Sequence, residues 1–150
     1  IHVADYLRLQ YPNILFHSDF GSGIKLTIGQ AAKQKRQNGG RRAWPDMQIA
    51  KPATIAIGQK SPAGYSARIF HGLFLELKKD GTKLKREKDA KKPLKNETQI
   101  RKAGDWWDQH IEEQAETLEK LRQAGYKAEF AVGFEQAKQI IDEYLGASWK

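Results

Sequence analysis

The run "GLFLELKK" at residues 72–79 restricts this chain more than any other stretch. Its alternation places Leu73, Leu75 and Leu77 on one face of a strand and Phe74, Glu76 and Lys78 on the other. Both faces are apolar enough to read as interior sheet, yet one of them carries an acid and a base. Glu76 and Lys78 then stand side by side, about 7 Å apart along the strand. Charges of this kind are costly to bury unless they pair with each other or bind something.

The rest of the chain alternates between helix and strand patterns. "VADYLRLQY" spaces Val3, Tyr6, Leu7 and Tyr11 as a short amphipathic helix, stopped by Pro12. "NILFHS" predicts a strand and "DFGSG" a turn. Residues 30–40, "QAAKQKRQNGG", predict a helix ended by paired glycines, with three basic residues and no acid. "DMQIA" and "TIAIG" predict short strands, and "QKSPAGYSA" reads as a loop. Residues 79–105 contain ten Lys or Arg against five acids, and predict a surface excursion that is mobile without a ligand. "WWDQHIEEQAETLEKLRQAG" then predicts a long helix ended by Gly125, "KAEFAVG" a strand, and "FEQAKQIIDEYL" a helix with Phe134, Ala137, Ile141 and Tyr144 on one face. This order predicts a mixed sheet flanked by helices within one domain spanning residues 1–150.

Composition narrows the chemistry. The 150 residues include no cysteine, which excludes disulfides, thiolate nucleophiles and Cys-based zinc sites and suits a reducing cytoplasm. No apolar run approaches a membrane span, and no signal-peptide pattern opens the chain. A net charge of +8 favours a polyanionic partner, most commonly a phosphate backbone.

"RRAWPDMQIA" at residues 41–50 supplies a second carboxylate. Asp46 sits at the mouth of one strand and Glu76 within another, so the two meet if those strands are neighbours. Converging carboxylates repel unless a hard cation lies between them, and Mg²⁺ or Mn²⁺ suits such oxygen donors. A lysine beside that cation, Lys78, can orient water and stabilise charge developing on a phosphate. Alone, Glu-x-Lys is commonly a surface pair and Pro-Asp a turn; their order within a basic chain is more specific. On the long helix, Trp107, Ile111, Leu118 and Leu121 trace an apolar stripe in which position 114 is a glutamine. Gln114 lies either at the stripe's wet edge or aimed at something polar in the interior.

Pro45-Asp46, Glu76-Leu77-Lys78 and Gln114 together resemble the PD-(D/E)XK nuclease superfamily, and most of all its VRR-NUC branch of small stand-alone proteins from phages and bacteria. The likeness covers most of residues 39–146. It implies a restriction-endonuclease-like α/β core, with a central mixed sheet flanked by helices, and metal-dependent hydrolysis of DNA phosphodiesters in a bacterial cell or phage-infected host. It further implies Asp46, Glu76 and the Leu77 carbonyl as ligands of Mg²⁺ or Mn²⁺, Lys78 as the catalytic lysine, and Gln114 as a helper. Branched DNA such as a four-way junction becomes an expected substrate, and a homodimer the expected assembly. The family also carries a Glu on its first helix. Positions 1–11 hold none, so that role falls to Asp5, to Asp19 or to a residue upstream of Ile1. If none serves, the alternative is a DNA-binding module that keeps the scaffold without cutting.

The basic segments are expected to contact phosphates. Lys33, Lys35, Arg36, Arg41 and Arg42 precede Asp46, while Lys83, Lys85 and Arg86 follow Lys78, with Lys88, Lys91 and Lys92 beyond. Of Trp106 and Trp107, one is expected to pack inward and the other to stack on nucleic acid or cover a dimer interface. His17, His71 and His110 match no metal-ligand spacing. A third reading, an interaction protein whose charge serves solubility, predicts no nucleic-acid binding even at low salt.

Overall fold

A computed structural model describes residues 2–19, 26–40, 43–62 and 64–147. Chain order runs α1 (Val3–Gln10), β1 (Phe16–Ser18), α2 (Ile28–Gln37), β2 (Met47–Ile49), β3 (Ala53–Ser61), β4 (Gly64–Phe70), β5 (Leu73–Lys78), α3 (Gln109–Gln123), β6 (Lys127–Val132) and α4 (Phe134–Ala147). The main sheet has the order β1-β2-β5-β6, and β3 and β4 form a separate hairpin. β1, β2 and β5 pair antiparallel, whereas β5 and β6 pair parallel. Parallel neighbours need a crossover, and α3 supplies it. The mixed sheet flanked by helices is therefore the arrangement that the order of sequence patterns predicted.

The alternation of β5 divides the interior in two. Leu73 and Leu75 join Met47, Ile49, Leu7, Ile141, Tyr144 and Leu145 in one apolar cluster, which α1 and α4 cover. Phe74 joins Ala128, Leu118 and Leu121 in a second cluster on the opposite face, beneath α3. Each large aliphatic side chain buried this way contributes about 1.5–3 kcal/mol relative to exposure. Polar clasps hold α1 against α4. Tyr6 and Tyr11 both donate hydroxyl hydrogen bonds to Asp142 Oδ1, at 2.5 and 2.7 Å, and Lys138 reaches Oδ2 at 3.3 Å.

Capping sets the helix limits. Thr27 and Gln30 form a reciprocal capping box at the start of α2. Asp108 caps α3 by accepting the Ile111 N–H at 2.9 Å. After α3, Gly125 adopts φ +98°, and a Cβ there would lie 2.5 Å from the His71 ring. The His71 N–H donates to the Gly125 carbonyl at 2.9 Å, so the turn entering β6 is seated on the turn entering β5.

Four local expectations are corrected. The long helix begins at Gln109, because Asp108 caps it, so Trp106 and Trp107 precede it. The first strand is confined to residues 16–18. "QKSPAGYSA" is the far end of the β3–β4 hairpin, closed by the pair Ser61–Gly64. Ala53 and Phe70 at its base are buried, while residues 66–69 are exposed, so no apolar alternation marked β4 as sheet. The polar segment 79–105 is folded back on itself rather than free. Its Arg86 N–H donates to Asp105, the Gly104 N–H to Arg86, and the Trp107 N–H to Leu84, at 2.7–2.9 Å. Arg101, with a side chain only 11% exposed, bonds Glu97 within this segment at 2.7 Å and Glu112 on α3 at 2.8 Å. Among the described residues no helix is long and apolar enough to cross a membrane.

Candidate active site

Strand register brings the acids together. Met47 pairs with Leu75 in the antiparallel β2–β5 ladder, and one further step sets Asp46 against Glu76. On the other side, the Asp19 N–H donates to the Asp46 carbonyl at 2.8 Å, extending the β1–β2 ladder. Asp19, Asp46 and Glu76 thus form a row along one end of three adjacent strands. The Asp46 side chain is fixed within it, since Oδ2 accepts the Leu77 N–H at 2.9 Å.

Glu76 is only 4% exposed. Gln114, buried in the stripe of α3, donates its Nε2 to Glu76 Oε1 at 2.9 Å. Of the two positions open to this glutamine, the interior one is occupied. The remaining oxygens of the pair, Glu76 Oε2 and Gln114 Oε1, are buried with no hydrogen-bond partner. Burial pushes the Glu76 carboxyl up to about 9. The neighbouring Asp46 adds to the rise, Lys78 opposes it, and Asp19 reinforces it. A buried acid whose charged form is so disfavoured is either protonated or neutralised by a bound cation.

These groups line one cavity of about 1070 Å³, which collects Asp19, Asp46, Glu76, Leu77, Lys78 and Gln114. The oxygen donors are the carboxylates of Asp46 and Glu76, with Asp19 next in the row, the unpartnered amide oxygen of Gln114 and the Leu77 carbonyl; His2 and His110 also line the cavity. Those oxygens fit a small hard divalent cation, which commonly takes one or two carboxylates and completes its shell with water and phosphate. Among the described residues, no group of three or more His, Cys, Asp or Glu side chains is gathered closely enough to hold a metal ion.

The remaining predicted residues divide. Lys35 lines the cavity from α2, while Lys33 and Arg36 are exposed on the same helix. Arg41 and Arg42 lie outside the described residues. Lys83, Lys85 and Arg86 do not line the cavity. Lys83 is exposed, Lys85 sits 4.6 Å above the Trp106 ring, and the Arg86 guanidinium 4.3 Å above the Trp107 ring. Trp106 in turn packs on Phe130, the register partner of Glu76, so this segment borders the acidic row without entering it. Asp5 faces away, bonded to Arg8 on the exposed side of α1. Sequence reasoning missed His2 and Trp44 as lining residues and set aside His110, which lies one turn before Gln114 on the same face of α3. Only Trp44 carried a signal, its place two residues before Asp46.

No protein-family model matches the sequence, and no curated protein matches it. A solved structure described as "VRR_NUC domain protein" is similar to this chain at 25% sequence identity and a TM-score of 0.47, covering 89% of this chain and 69% of its own.

Proposed function

We propose that this chain is a divalent-cation-dependent phosphodiesterase that cuts DNA. The observation carrying this reading is the convergence of Asp46, Glu76, Lys78 and Gln114 on one cavity, with the buried Glu76 left one oxygen short of a partner. Asp46, Glu76 and the Leu77 carbonyl are the residues suited to hold Mg²⁺ or Mn²⁺. When bound, such a cation polarises a phosphoryl oxygen and makes an attached water a better nucleophile.

The protein's own contribution is placement. The Leu77 N–H holds Asp46 in position, and Gln114 does the same for Glu76. Lys78, next on the same strand face, supplies the positive charge that orients an attacking water and stabilises charge gathering on the phosphate. A preorganised donor of this kind accounts for roughly 10²–10³ in rate. The +8 charge, with Lys33, Lys35 and Arg36 along α2, favours a phosphate backbone as the ligand.

A second reading, DNA binding without cleavage, is favoured by α1, which carries no Glu and whose Asp5 is bonded to Arg8 on its exposed side. One assay separates the two. Four-way junction, flap, single-stranded and duplex DNA are incubated with Mn²⁺ and with Mg²⁺, using wild type, Glu76→Ala and Lys78→Ala. Cation-dependent cutting that both substitutions abolish is the expected result. Cutting that survives both sinks the proposal, and salt-sensitive binding without cutting in any cation moves the conclusion to the second reading.

A further inference from the structure

The cavity is lined by the polar Asp46, Glu76 and Lys78 and also by Trp44 and α2, which contributes apolar Ile28, Ala31 and Ala32 together with Gln34 and Lys35. α2 buries none of its residues, and Ile28 is 92% exposed. Apolar side chains beside a charged site gain nothing from contact with water.

Trp44 is the indole with room to act. It is 42% exposed and meets Phe74 edge-on, with ring centroids 5.6 Å apart and planes at 84°. Trp106 and Trp107 already carry Lys85 and Arg86 over their rings.

We infer that Trp44 and the apolar edge of α2 form a nucleobase subsite, which receives an unpaired base next to the phosphate held at Asp46, Glu76 and Lys78. This deepens the phosphodiesterase reading and rests on it. Inside a duplex the base faces are stacked on their neighbours, and a protein reaches only base edges and backbone. An indole has little to offer those, but it stacks on any unpaired base. The cavity, at about 1070 Å³, is large enough for a nucleotide. Trp44 is therefore a specificity residue that favours a single-stranded or frayed strand over continuous duplex, with the basic residues of α2 placed to follow the backbone.

The test reads stacking directly. Single-stranded oligonucleotides carrying 2-aminopurine at successive positions, and matched duplexes, are titrated with wild type, Trp44→Ala and Trp44→Phe in Ca²⁺. Wild type is expected to quench the probe in the single strand. Trp44→Ala is expected to remove the quench and weaken single-strand affinity by about tenfold to a hundredfold, while changing duplex affinity less than about twofold. Trp44→Phe should restore most of both. If Trp44→Ala does not fold, Trp44→Leu takes its place, with the same loss expected. Absence of quench with wild type, or equal weakening on both substrates, overturns the subsite. Cleavage without quench sinks the subsite alone. Quench with no cleavage in any cation supports the subsite and sinks the phosphodiesterase reading.

Discussion

Gln114 Nε2 donates to Glu76 Oε1 at 2.9 Å across the interface between α3 and β5, and each residue keeps one further buried oxygen without a partner. A glutamine is spent on aiming a carboxylate that the interior would otherwise reject. Groups that orient a ligand carboxylate commonly account for 10–100-fold in metal affinity. Gln114→Ala is therefore expected to weaken Mn²⁺ binding by about that factor, measured by calorimetric titration of the purified protein. An unchanged affinity would show that Glu76 needs no guide.

The same pair predicts a conflict between stability and binding. In the absence of a cation, Glu76, with its carboxyl pushed up to about 9, holds its proton at pH 8, where the unfolded chain's carboxyl would have lost it, and that difference costs the fold a few kcal/mol. Glu76→Gln is expected to raise the thermal midpoint at pH 8 in EDTA while abolishing Mn²⁺ binding. Loss of stability under those conditions would mean that Glu76 is a structural residue in its own right.

Asp142 gives the pH dependence. Burial alone would raise its pKa, but the hydroxyls of Tyr6 and Tyr11, with Lys138, hold it below the usual carboxylate range. A depressed acid stabilises the fold above its unfolded pKa, and that stability is lost as pH falls through the folded value. Urea denaturation should show wild type losing about 1 kcal/mol more than Asp142→Asn on moving from pH 6 to pH 3. Parallel curves for the two proteins would show that the clasp is not charge-assisted.

Arg101 ties the polar segment to α3 through Glu97 and Glu112. Removing one member of a nearly buried ion network leaves its partners uncompensated, at about 3 kcal/mol or more. Arg101→Met is expected to lower overall stability and to speed hydrogen exchange across residues 79–105. Fast exchange of that segment already in wild type would restore the mobile excursion that its composition suggested.

How much of this was legible in the sequence depended on whether a signal was local. Glu76 and Lys78 announced themselves because a strand repeats every two residues, and Gln114 because it interrupts a helical stripe. Asp19 was only one of several candidates, since its place beside Asp46 follows from strand order, which no local window contains. β3 was read from "TIAIG", but β4 was missed because its residues 66–69 are exposed and show no apolar alternation. The segment 79–105 is as exposed as its composition suggested, but composition does not record that Arg101 ties it to α3 through Glu112. Lys85 and Arg86 were expected on phosphates, yet each has an indole beneath it.

The β3–β4 hairpin also has a temporal meaning. It lies between Asp46 and Glu76 in the chain, so the two carboxylates belong to different halves of the protein. The earlier half ends with Asp46 at a strand end beside Asp19, and with nothing on the β5 side. Glu76, Lys78 and Gln114 arrive only with the later half, and the site closes when β5 pairs back onto β2. A growing or broken chain thus lacks Glu76, Lys78 and Gln114, and the complete site exists only once folding is complete.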